Sequence, residues 1–155
     1  MKEIESALSG ASLNIGIVLS RFNQEVGNGL LYSCVAELGR LGVASHDIVV
    51  ARVPGALEVP LVLQTMAQSG GFHGLIALGC VIRGQTYHFE IVSGESARGI
   101  AQVQLQEGIP VANGVLTTED EAQALCRMTG KGTDVAQTVI EMIHLQSALL
   151  EELIE

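Results

Sequence analysis

Four short apolar runs constrain this chain more than any other feature: residues 14–20, 48–53, 75–81 and 109–116. Each is nearly continuous rather than alternating, the pattern of parallel strands covered on both faces. Between them apolar residues step at helical intervals. Leu30, Leu31, Cys34, Val35 and Leu38 share a face within 26–39. Leu57, Leu61 and Val62 do so within 57–68, where Pro60 falls near the first turn and its missing N–H costs little. Phe89, Val92, Ser96, Ile100 and Val103 mark the third connection. The order β-α-β-α-β-α-β in 155 residues predicts one three-layer α/β domain built on a four-stranded parallel sheet. Residues 1–12 precede the first strand and are expected to form a flexible arm.

Beyond the fourth run, residues 118–127 read as a helix opened by the capping cluster Thr117-Thr118-Glu119-Asp120. Residues 128–133, with Gly130 and Gly132, predict a break before a last helix over 134–155. That helix carries two apolar stripes, one through Val135, Val139, Met142, Leu145, Leu149 and Leu153, the other through Ala136, Ile140, Ile143, Leu150 and Ile154. Stripes that wide imply burial on more than one side, and so an assembly.

Composition narrows the function classes. Hydrophobic residues make up 48% and aromatics 3%, with no Trp, so the core must be aliphatic. The mean hydropathy of +0.39 is high, yet no apolar run approaches a membrane span and Glu3 and Glu5 interrupt the opening residues. High hydropathy without a span again suggests apolar surface buried between subunits. The net charge is −9 and the eight Lys and Arg are scattered, which disfavours nucleic acid as a partner. Cys34, Cys80 and Cys126 are far apart and odd in number, fitting a reducing cytoplasm better than a disulfide framework. No Cys or His pair has the spacing of a zinc site, so no metal is expected.

Ligands of parallel α/β sheets sit beyond the carboxyl ends of the strands. After the first strand comes Ser20-Arg21-Phe22-Asn23, with no glycine-rich dinucleotide fingerprint. Phe22 suits stacking on a planar ring and Asn23 suits hydrogen bonding to it. Core filling by Phe22 and helix capping by Asn23 stand as the plainer alternative. After the second strand, Pro54-Gly55 forces a tight turn, and Glu58 stands in an apolar stretch where a carboxylate needs partners. It suits the hydroxyls of a polyol, or else the dipole of a first helical turn. After the third strand, Gly84-Gln85-Thr86 precedes a helix, so free N–H groups and a hydroxyl form a natural phosphate cradle. His88 would stand in that helix's first turn, where an imidazole beside a phosphate ester can accept a proton and then return it. A capping Thr86 and an ordinary surface His88 are the alternative. His46, His73 and His144 have no comparable setting and read as structural. Arg127 suits a phosphate through its planar fork, or a helix carboxyl end through its charge. The string Gly130-Lys131-Gly132-Thr133 lacks both the preceding strand and the residue order of a phosphate-binding loop.

Together these segments resemble the lumazine synthases, from about residue 13 to residue 149. The anchors are Arg21-Phe22-Asn23, Pro54 through Pro60, Gly79 through Phe89, Gly114 through Glu119, and Ile140-Glu141-Met142. Each is modest alone; their order and spacing are specific together. The resemblance implies a flavodoxin-like strand order and a cofactor-free condensation of two small molecules, 5-amino-6-(D-ribitylamino)uracil and 3,4-dihydroxy-2-butanone 4-phosphate. The product is 6,7-dimethyl-8-ribityllumazine, formed in the penultimate step of riboflavin synthesis with release of phosphate and water. By matching position, Phe22 would stack on the pyrimidine, and Ala56, Leu57 and Glu58 would hold the uracil and ribityl chain. Cys80, Val81 and Ile82 would line the ring pocket, Gln85, Thr86 and Arg127 would bind phosphate, and His88 would carry protons. The family builds this site between subunits of a pentamer, so Asn113, Arg127 and Lys131 would come from the adjacent chain.

Two departures stand out. The family commonly has Phe where this chain has Asn113, exchanging a stacking contact for an amide. The segment from Arg127 to Lys131 is four residues shorter than in many members, whose longer kink accompanies sixty-subunit shells. The expectation is therefore a pentamer or a pair of pentamers, with the last helix re-aimed. Two other readings compete: a scaffold that keeps the pocket without chemistry, supported by Asn113, and a flavodoxin-like electron carrier. The second lacks a phosphate loop after the first strand.

Overall fold

The computed structural model describes residues 1–154. Four strands, β1 (Ile15–Ser20), β2 (Ile48–Val53), β3 (Gly74–Ile82) and β4 (Val111–Thr118), form one parallel sheet in the order β2-β1-β3-β4. Helices α1 (Gln24–Arg40), α2 (Val59–Ser69), α3 (His88–Glu107) and α4 (Glu121–Leu153) cover its faces. This is the expected three-layer α/β domain in the expected strand order. Two hydrophobic clusters flank the sheet. Ile15, Ile17 and Leu19 of β1 pack with Leu30 and Leu38 of α1 and with Val135, Val139 and Ile140 of α4. Val18 of β1 faces the other way, onto Val59 and Leu63 of α2 and Ile100 and Val103 of α3. The split follows from the two-residue repeat of a strand.

Burial on both faces holds for the two central strands only. β1 is buried throughout and β3 to its penultimate residue, but β2 and β4 lie at the sheet edges. β2 leaves Val49 and Val50 part-exposed, and β4 alternates. β4 also starts two residues later than its apolar run. Pro110 has no N–H to give the ladder, and the Val111 N–H donates to the Gln104 side chain.

The expected break over residues 128–133 does not exist. One helix runs unbroken from Glu121 to Leu153, 33 residues, with Asp120 as its cap: the carboxylate accepts from the Gln123 N–H at 2.8 Å. A glycine inside a helix costs roughly 1 kcal/mol relative to alanine, and packing outweighs that here. A Cβ on Gly132 would stand 1.8 Å from Ser33 Oγ and 2.6 Å from the Leu30 carbonyl, so α4 passes close to α1 at this glycine. Further along the same crossing, buried Glu37 of α1 accepts hydrogen bonds from Arg40 and from Gln137 of α4. These bonds hold its carboxyl down at about 2.

Residues ahead of β1 form neither helix nor strand but lie against α4 and α1. Lys2 pairs with Glu152, His144 Nε2 meets the Ser9 carbonyl, and the Gly10 N–H donates to the Leu41 carbonyl. His73 Nδ1 accepts from the Asn14 N–H at 2.9 Å, and His46 lies beside Asp47. Among the described residues, no helix is long and apolar enough to cross a membrane.

Candidate active site

β1 ends at Ser20, and the chain turns sharply at Asn23, whose backbone is left-handed (φ 56°, ψ 57°), a conformation asparagine tolerates better than most residues. The Asn23 side chain does not cap α1. It reaches across to β3, its Nδ2 donating to the Cys80 carbonyl at 2.9 Å. That tie leaves Phe22 with 71% of its surface exposed.

Beyond β2, Pro54-Gly55 leads into a single 3-10 turn, Ala56–Glu58, before Pro60 opens α2. Glu58 sits at the cap position of α2, but its carboxylate makes no capping bond. That position still favours a negative charge through the helix dipole, and the same residue lines the cavity described below. Beyond β3, residues 84–87 lead into α3 at His88. Thr86 Oγ1 lies 3.4 Å from the His88 N–H, too long to act as a firm cap.

These three strand ends surround one cavity of about 290 Å³. Phe22, Ala56, Leu57, Glu58, Cys80, Val81, Ile82, Thr86 and His88 all line it, and Phe89 and Val92 of α3 close the apolar side. Phe22 does not fill core, and His88 is exposed at the edge of this concavity. Cys80 is buried, and burial with a smaller push from Glu121 raises its thiol to about 11. At neutral pH it is a compact neutral wall, not a thiolate nucleophile.

Arg127 and Lys131 lie elsewhere. They line a separate hollow of about 450 Å³ between the end of β4 and α4, with Thr117, Thr118, Cys126 and Asp134. The two cavities have no lining residue in common. Arg127 Nη1 donates to the Gln123 carbonyl one turn back in its own helix, 3.1 Å away.

Three other expected site residues line neither cavity. The side chain of Asn23 is spent on β3 and borders a small hollow by Glu25 and Glu121. Gln85 is exposed between two lining residues without lining the cavity itself. Asn113 stands exposed on β4, its Oδ1 accepting from the Val115 N–H at 3.0 Å.

Comparison with known proteins decides the relationship. The family described as 6,7-dimethyl-8-ribityllumazine synthase matches residues 12–147. The chain belongs to that family. A 6,7-dimethyl-8-ribityllumazine synthase of Methylobacillus flagellatus is 59% identical over 149 residues, covering 96% of this chain and all of the relative. Proteins of the same name from Azoarcus sp. and Nitrosomonas europaea are 59% and 58% identical. They cover 95% and 96% of this chain, and 94% and 91% of their own lengths. Membership extends across both cavities, so the Arg127 hollow lies within the family domain as fully as the His88 cavity does.

Sequence reasoning passed over Phe89, Val92 and Arg83. The first two were visible as one face of α3, but periodicity does not distinguish a core face from a cavity wall. Arg83 gave no signal: its carboxylate partners, Glu90 and Glu119, are seven and thirty-six residues away.

Proposed function

We infer that this protein is a transferase that condenses 5-amino-6-(D-ribitylamino)uracil with 3,4-dihydroxy-2-butanone 4-phosphate. It forms 6,7-dimethyl-8-ribityllumazine and releases phosphate and water. One observation carries the reading: an exposed aromatic ring, an uncapped carboxylate and the imidazole of a helix's first residue converge on one cavity at three strand ends. The amine attacks the ketone to give a Schiff base, phosphate is eliminated, and the ring closes. Each step moves a proton, so one positioned imidazole suffices, and holding the two reactants together supplies much of the remaining acceleration.

In this reading Phe22 stacks on the pyrimidine, and Ala56, Leu57 and Glu58 hold the uracil and the ribityl hydroxyls. Cys80, Val81 and Ile82 form the ring's wall. Thr86 and the backbone of Gln85 bind phosphate at the start of α3, while His88 shuttles protons. Asn23 acts by fixing the turn that presents Phe22. Asn113, Arg127 and Lys131 complete the site of an adjacent subunit in a pentamer or a pair of pentamers. The separation of the two cavities within one chain supports that assembly, as do the exposures of Tyr32 (80%) and Leu61 (70%). The free thiols of Cys34, Cys80 and Cys126 suit a reducing cytoplasm.

The test is direct. Purified protein mixed with both substrates should generate the absorbance and fluorescence of the lumazine. Absence of product at every substrate concentration overturns the reading.

A further inference from the structure

Arg83 is the cation nearest the proposed phosphate loop in sequence, immediately before Gly84, and by charge alone it would pass for a phosphate ligand. Its surroundings point elsewhere. The Arg83 N–H donates to the Thr118 carbonyl at 2.9 Å, fastening the end of β3 to the end of β4. Its Nε donates to Glu119 at 2.8 Å, and its Nη1 donates to Glu90 in the first turn of α3. The guanidinium also lies over the Phe89 ring, 4.4 Å from its centroid. The planar fork is thus committed to two carboxylates and one aromatic face, an arrangement Lys cannot reproduce. Two carboxylates already answer the single positive charge, which leaves the guanidinium little to offer a phosphate. Glu90's carboxyl is correspondingly held below the usual range by Arg83.

The segment these contacts bypass is the one that bears the chemistry. Residues 84–88 are all exposed, a Cβ on Gly84 would meet nothing within 4 Å, and among the described residues the one side-chain bond inside the loop is the 3.4 Å contact of Thr86. Phe89 and Glu90, the two residues following His88, are both held by Arg83. We propose that Arg83 is a positioning residue for the condensation, clamping the first turn of α3 to the β4–α4 turn so that His88 and Thr86 keep a fixed place over the cavity. The proposal rests on the transferase reading above. Because Thr117 and Thr118 also line the Arg127 hollow, the clamp ties one chain's proton-carrying half-site to the half-site it offers its neighbour.

The experiment compares the full-length oligomer with Arg83→Met, Arg83→Lys, Glu119→Gln and Glu90→Gln in the lumazine-forming assay, with inorganic phosphate as competitor and thermal melting as a check on folding. A displacement of about 1 Å can cost roughly 100-fold in rate. Arg83→Met should therefore lower kcat by about 10- to 100-fold, with phosphate inhibition and KM for the butanone phosphate moving less than about threefold. Arg83→Lys should fail to rescue. Each Glu→Gln change should lower kcat in the same direction, and the double variant Arg83→Met/Glu119→Gln should be no worse than Arg83→Met alone. The side chains of Arg83, Glu90 and Glu119 are 40%, 37% and 61% exposed, so these changes should leave melting nearly unmoved. A rise in KM and weaker phosphate inhibition at unchanged kcat would make Arg83 a ligand and overturn the proposal. So would tighter phosphate binding with full turnover in Glu119→Gln, or full rescue by Lys. An inactive wild type overturns the transferase reading first and the proposal with it; an active wild type with an unimpaired Arg83→Met overturns the proposal alone.

Discussion

The two cavities of this chain are built on different principles. The His88 cavity is gathered from several elements: three consecutive residues of β3, the turn after β2, Phe22 after β1 and the first turns of α3 line it. The Arg127 hollow is a helix surface, where exposed side chains of α4 stand beside the end of β4. The first gathers an aromatic ring, a carboxylate and an imidazole from three separate strand ends. The second presents flexible cations whose position depends on α4 and on whatever faces them. Under the proposed function, the first would orient a ring and move protons while the second would supply charge.

That contrast can be broken by substitution. His88→Ala removes the proposed proton carrier from the first cavity and should lower kcat roughly 100-fold or more while leaving binding of a product-like lumazine nearly unchanged. A comparable loss of ligand affinity, read by fluorescence titration, would show that His88 mainly binds. Arg127→Ala should act oppositely. Charge-assisted hydrogen bonds are worth about 1.5–3 kcal/mol, so KM for the phosphate substrate should rise roughly 10- to 100-fold and kcat should fall less. An effect confined to kcat would place Arg127 among the groups that stabilise the transition state and erase the distinction between the halves.

The platform beneath the second half can be tested through its two glycines. Gly132→Ala forces a methyl into Ser33 and the Leu30 carbonyl. Overpacking typically costs about 1–3 kcal/mol, more than the helix propensity alanine gains, so the melting temperature should fall. Gly130→Ala meets nothing within 4 Å and should raise stability by up to about 1 kcal/mol. Equal effects at the two positions would mean that α4 does not cross α1 as described. The last test is one of pH. Glu37 titrates at about 2 in the fold, against an ordinary 4.5. Its contribution is therefore complete above pH 4.5 and is lost as the pH falls through 2. Glu37→Gln should flatten the acid limb of a denaturation profile within that window, and an unchanged profile would remove Glu37 from the α1–α4 contact.

The same two regions differ in how well the sequence announced them. β1 and β3 match their apolar runs within one residue, because a buried parallel strand must be apolar at nearly every position; β2 matches its run residue for residue although it is a part-exposed edge strand. The strand-end rule then placed Phe22, the residues around Glu58, and His88 at one cavity. What it could not supply was side-chain direction: Asn23 turned to β3, Gln85 to solvent, and Asn113 to its own strand. Gly130 and Gly132 were misread for a related reason. A local propensity of about 1 kcal/mol per glycine is a weak signal against a tertiary contact such as that between Gly132 and α1, and the contact partner Ser33 lies ninety-nine positions away. Arg83 escaped notice because its meaning resides in carboxylates brought to it by the fold.

Because α4 is unbroken, it is also a strut. At 1.5 Å per residue, about 40 Å of helix separates Arg127 from Leu153, and the side chains of Leu150 and Leu153 at its far end are largely in solvent. A label or fused domain attached there would report on the orientation of the cationic half-site without touching it. A protein engineer could rotate that reporter in steps of about 100° by adding single residues to the helix.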